Sequence, residues 1–116
     1  MDKIRIERLN EQQRKALNIP DSPRHQGPWS VWECAPSIRL SLEDSILEEA
    51  GIVPIGTQFD RHYDQLEKAH LYEGKVKVKT PSQEVDIKAG DFVVFPKGLS
   101  CSWQVLEKVR KVYKFE

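Results

Sequence analysis

Gly90–Trp103, GDFVVFPKGLSCSW, is the stretch that decides the fold. Asp91 to Phe95 is a short run rich in β-branched and aromatic residues, the composition of a strand. Pro96-Lys97-Gly98 then interrupts it. Proline holds φ at about −65° and glycine tolerates a positive φ, so these three residues read as a tight turn. Cys101 to Val105 resumes as a second strand, and Gly90 and Gly98 bracket the unit.

The same grammar extends in both directions. In Lys75 to Lys79, Val76 and Val78 alternate with three lysines, and in Glu84 to Lys88, Val85 and Ile87 alternate with charges. Period two of this kind marks strands with one buried face. Val109 to Phe115 continues the series after Glu107-Lys108. Short strands closed by Gly and Pro turns point to a sandwich, a jelly roll or a small barrel, so the expected class is all-β with minor helix. Two short helices fit between. Asn10 and Gln13 have the spacing of an N-cap with its reciprocal partner, predicting a helix over 11–17 before Pro20. Leu42 to Ala50, with Ser41 as cap and Gly51 as stop, predicts a second. Pro20 to Pro28 reads as a loop, and the segment 42–56 as an insertion between strands.

At 116 residues the chain has room for one domain, and eighteen bases balance eighteen acids. That balance disfavours a dedicated nucleic-acid binder or an anionic-membrane binder. Cys34 and Cys101 form at most one bridge, which suits a reducing compartment. The first residues lack an apolar run of signal-peptide or membrane-spanning length, so a cytoplasmic location is expected. No glycine-rich phosphate loop, nucleophile elbow or paired Cys-x-x-Cys occurs.

The spacing Gly90, five residues, Pro96, one residue, Gly98, two residues, Cys101 resembles the second cupin motif. Upstream, His62, Glu67 and Gly74 resemble the first motif, with Asp60 where its first histidine would stand. More narrowly, Trp29 to Cys34, Tyr63-Asp64, Glu67, Glu73-Gly74, Phe95 to Gly98, Trp103, Arg110-Lys111 and Tyr113 resemble the small single-domain cupins grouped with ureidoglycine aminohydrolases. The resemblance covers about 29–116. It implies a cupin jelly-roll barrel there, preceded by an N-terminal extension, 1–28, packed outside.

In metal-binding cupins the ligand slots usually hold His, His, Glu and His. The resemblance places Asp60, His62, Glu67 and Cys101 in them, each able to coordinate. Alternation along a strand makes Asp60 and His62 share a face, expected to project into the barrel. A thiolate in the set favours one divalent zinc, iron or manganese ion over magnesium. The alternative is a metal-free barrel: Asp60 and His62 solvated at its mouth, Glu67 paired with Lys111 or Arg110, and Cys101 packed as a small hydrophobe. Glu67, if not a ligand, is the candidate general base. His62, His70, Trp103 and Lys111 are the candidate ligand-binding residues, although the core reading outweighs the ligand reading for His70, as a polar-tipped core residue, and for Trp103.

The functional expectation is a small cupin binding a compact polar carboxylate or ureido-like molecule, as a metal-dependent enzyme or as a metal-free sensor or dimerisation module. A homodimer is expected because the lysine-striped strands leave edges that need cover.

Overall fold

The computed structural model describes residues 3–34 and 57–116. Among these, the elements in chain order are β1 (Arg5–Glu7), α1 (Glu11–Ala16), β2 (Ser30–Cys34), β3 (Thr57–His62), β4 (Glu67–Lys79), β5 (Glu84–Lys88), β6 (Phe92–Phe95) and β7 (Ser100–Phe115). The helix expected over 42–50 and the insertion around it lie outside the described residues. No helix among those described is long and apolar enough to cross a membrane.

All the strand pairings are antiparallel and belong to one sheet, ordered β1-β6-β4-β7-β2, with β3 also on β7 and β5 also on β4. Its frame is the long pair β4 and β7. The first half of β7 carries β3, from Thr57 opposite Val105 to His62 opposite Ser100. The second half carries β2, from Ser30 opposite Tyr113 to Cys34 opposite Val109.

Sequence alternation breaks at Glu107-Lys108, which suggested two strands there, but β7 runs through without a gap. The break is a bend. β4 absorbs it with register shifts between Leu71 and Val76. Gly74, at the centre of these shifts, has φ +97°, and a Cβ on it would lie 2.2 Å from the Lys108 carbonyl oxygen. Only glycine lets the two backbones approach so closely. Gly90 and Gly98 also have positive φ, as the strand-turn reading requires, and Leu99 N–H donates to the Pro96 carbonyl across that turn.

The sheet has two apolar faces. The larger core gathers Ala69, Leu71, Val76, Val78, Ile87, Val93, Phe95, Trp103, Val105 and Val109, all essentially inaccessible to solvent. On the opposite face Phe92 and Val112 meet Ile19 and Trp29 from the N-terminal segment. That segment is tied down by side chains: Trp29 Nε1 donates to the Leu17 carbonyl, and the Tyr72 hydroxyl donates to that of Pro20. The Asn10–Gln13 capping box forms as its spacing predicts. The extension is more than an outer wrapping, because β1 pairs with β6 and Ile4 enters the larger core.

Candidate functional site

The phase of β3 sets which side chains reach the interior. Phe59 packs against the larger core and Tyr63 is buried in it, so Arg61, midway between them, points inward too. Asp60 and His62 share a face as expected, but it is the outer one, and both are exposed. There Ser102 Oγ donates to Asp60 Oδ1 at 2.8 Å, and Ser100 Oγ lies 2.8 Å from His62 Nδ1. These contacts follow the cross-strand pairs Asp60–Ser102 and His62–Ser100.

Glu67 begins β4 and is completely buried. Two cations hold it: Arg61 Nη2 donates to Oε1 and Lys111 Nζ to Oε2, each at 2.9 Å. Lys111 comes from β7, where its neighbour Val112 faces the other side of the sheet. Its ammonium is ringed by Trp103 at 4.8 Å, Trp32 at 5.0 Å, Tyr113 at 5.5 Å and Phe95 at 5.9 Å from the ring centroids. Aromatic faces stabilise a desolvated cation by their quadrupoles. Burial pushes the Lys111 ammonium below the ordinary lysine range, and Glu67 pulls it back up.

Two further polar groups adjoin this cluster. Among the described residues, Tyr63 Oη and Trp103 Nε1 are buried without a hydrogen-bond partner. Burial, then the charge of Glu67, pushes the Tyr63 phenol far up, so it stays protonated. Burial likewise raises the Cys101 thiol. The Trp103 indole N–H is near enough to favour the ionised forms of both groups, yet completes a hydrogen bond with neither.

Arg61 connects this interior to solvent. Its side chain is 27% exposed, against 0% for Glu67 and 1% for Lys111. It lines a cleft of about 490 Å³ together with Tyr63, Gln65 and Phe115, which adjoins the interior cluster through Tyr63; a cleft of about 630 Å³ beside Asp60, His62, Ser100 and Ser102 opens on the outer face instead.

The four proposed metal slots therefore do not converge. Asp60 and His62 project from the outer face, both oxygens of Glu67 are engaged by cations, and Cys101 alone of the other three faces inward near Glu67. Among the described residues no three His, Cys, Asp or Glu side chains gather as a metal site. A divalent cation would also meet Arg61 and Lys111 at once, so the donor set does not fit the zinc, iron or manganese ion expected from the motif. With both oxygens occupied, Glu67 would have to open an ion pair before acting as a base.

His70 is buried on the opposite face, edge-on to Tyr72 with ring centroids 4.8 Å apart, beneath the N-terminal segment and away from Glu67. It is a core residue rather than part of the interior cluster. Trp103 is core and also one wall around Lys111. Sequence reasoning missed Arg61 and Tyr113 as members of the cluster. The Phe59-x-Arg61-x-Tyr63 alternation carried the signal for Arg61.

A family model described as the EutQ-like cupin domain matches residues 55–113. Among solved structures, a DUF861 family protein from Thermotoga maritima is 32% identical, with 98% of this chain and 100% of that one covered and a TM-score of 0.72. A cupin-2 domain containing protein from Shewanella frigidimarina is 17% identical over 93% of this chain and 94% of that one, with a TM-score of 0.51, a likeness of fold alone. No protein of curated function matches the sequence. The antiparallel sheet, its aromatic interior and these matches agree on a jelly-roll fold, and the chain belongs to the EutQ-like cupin family.

Proposed function

We propose that the protein binds a compact organic anion, a carboxylate with or without a ureido group, at the inner end of the cleft that Arg61 shares with Tyr63, without needing a metal ion. The observation that carries this reading is the charge count of the cluster: two cations, Lys111 buried and Arg61 partly exposed, face one buried carboxylate. An unmatched buried charge is costly, and a bound anion relieves it. Tyr63 Oη and Trp103 Nε1 are spare donors beside the same cluster, so an acceptor there would also satisfy groups that are otherwise desolvated for nothing. Arg61 offers the planar fork that suits a carboxylate.

The test is thermal unfolding with acetate, malonate and N-carbamoylglycine, in wild type and Arg61→Gln. A ligand at ten times its Kd stabilises by about 1.4 kcal/mol, which raises the melting temperature of a chain this size by about 5 °C. The reading expects such a rise with at least one probe in wild type and its loss in Arg61→Gln. No rise with any probe, or an equal rise in the variant, rejects it. In the same reading the chain forms a homodimer that covers the edges of its lysine-striped strands, a species that light scattering distinguishes from the monomer.

A further inference from the structure

Lys111 is an unusual residue to spend on a structural ion pair. It is 1% exposed, enclosed by four aromatic rings, and its amine sits 2.9 Å from a carboxylate oxygen that could take its proton. A second cation, Arg61, holds the other oxygen of that carboxylate and reaches the cleft that it shares with Tyr63. Two donors, Tyr63 Oη and Trp103 Nε1, adjoin the cluster without partners among the described residues. Together these supply an amine, a proton acceptor, an anchor for an anion, and hydrogen-bond donors for an oxygen that gains charge.

We infer that the Lys111 amine takes up the carbonyl of a small 2-oxo acid as an imine, while Arg61 holds the acid's carboxylate. This rests on the anion-binding reading above and names its ligand class. An incoming carboxylate replaces Glu67 as the partner of Arg61, and this exchange opens the route from the cleft to the amine. Lys111 Nζ passes a proton to Glu67, and the freed lone pair attacks the carbonyl carbon. The carbonyl oxygen takes a proton from the attacking nitrogen to give a carbinolamine, and the proton held by Glu67 goes to its hydroxyl, which leaves as water when the C=N bond forms, leaving a protonated imine beside the restored Glu67 carboxylate. Amine and carbonyl become imine and water, with no oxidation or reduction. The aromatic enclosure keeps bulk water from reversing the step.

The experiment incubates the protein with pyruvate or glyoxylate and sodium cyanoborohydride, which reduces the imine to a stable secondary amine, and maps modified lysines by peptide mass. Lys75 and Lys97 are exposed, away from the clefts that Arg61 lines, and serve as internal references. A purely structural Lys111, buried and ion-paired, would be modified more slowly than either. The inference expects Lys111 to be modified at least about tenfold faster than they are, because a held carboxylate places the carbonyl beside the amine. It also expects saturation with pyruvate and competition by acetate. Lys111→Arg keeps the charge beside Glu67 and should fold, yet lose this adduct. Modification of Lys111 no faster than the references overturns the inference. If acetate or malonate still raises the melting temperature through Arg61 in that case, anion binding stands and only the imine falls. If no carboxylate stabilises the protein and Lys111 stays unmodified, both fall.

Discussion

Replacing Glu67 by glutamine is expected to cost more stability than replacing Lys111 by methionine, although each change removes one partner of the same ion pair. In the folded protein Glu67 makes two contacts of 2.9 Å to cations. Each is worth about 6 kcal/mol of gross Coulomb energy at an effective dielectric constant of about 20. Desolvation of the three groups takes back most of it, which is why deleting one member of a buried pair costs roughly 3–5 kcal/mol rather than the gross figure. Glu67→Gln removes both attractions and leaves Arg61 and Lys111 facing each other across a neutral amide. It should sit near the top of that range, a fall of about 15 °C in melting temperature. Lys111→Met leaves the Glu67–Arg61 pair intact and electrically balanced, with an apolar chain among aromatic rings that accept one, so about 1–2 kcal/mol is expected. The assay is urea unfolding of both variants and the double variant at neutral pH. A pH series adds a sign. Burial lowers the folded pKa of Lys111, so between that value and the ordinary 10.5 the unfolded state binds more protons and stability rises with pH. Glu67 opposes this lowering, so its removal should widen the window and let Glu67→Gln recover stability from pH 7 toward pH 10. A Glu67→Gln variant more stable than Lys111→Met at pH 7 would refute the charge reasoning.

Three further outcomes follow from other parts of the fold. His70 has its pKa lowered by burial and by Arg14, with Asp91 opposing, so the folded protein resists its protonation and stability should fall as pH drops below 6.5; in His70→Phe the urea midpoint should change less between pH 7 and pH 5, and an unchanged slope would remove His70 from the account. Gly74→Ala meets backbone 2.2 Å from the new Cβ and should cost well over 2 kcal/mol, whereas Gly98→Ala meets nothing within 4 Å and carries only the strain of its φ of +88°, about 1 kcal/mol; equal melting temperatures would contradict the close approach of β4 and β7. Prolonged EDTA treatment should leave the melting temperature unchanged, since both Glu67 oxygens are already held by cations; a loss restored by zinc, iron or manganese would return the metal reading.

Much of the architecture was legible because alternation and turn chemistry act locally. Val76, Val78, Val85 and Ile87 declare their buried face within five residues, and Pro96-Lys97-Gly98 declares its turn within three. The continuity of β7 through Glu107-Lys108 was not legible, because it depends on Gly74 in another strand admitting the bend. The site was read one residue out of phase. Motif spacing drew attention to Asp60 and His62, while the apolar neighbours Phe59 and Tyr63, which alone set the phase of β3, put Arg61 inside. The pairing of Glu67 with Lys111 rather than Arg110 was open in the sequence. Adjacent residues on a strand face opposite ways, and Lys111 has the inward phase, leaving Arg110 to bond Glu33 and lie near Glu73.

The way β7 is shared also governs how quickly the native state can be reached. Its first half needs β3 and its second half needs β2, and the pairing of Ser30 with Tyr113 joins residues from nearly opposite ends of the sequence. Closing so large a loop costs entropy before any contact compensates, so the β4–β5 hairpin, joined by a short turn, should form early and the docking of β2 late. Until β2 docks, Trp32 cannot cover the faces of Phe59 and Trp103, so a change that slows this docking should prolong the exposure of apolar rings and raise the tendency to aggregate.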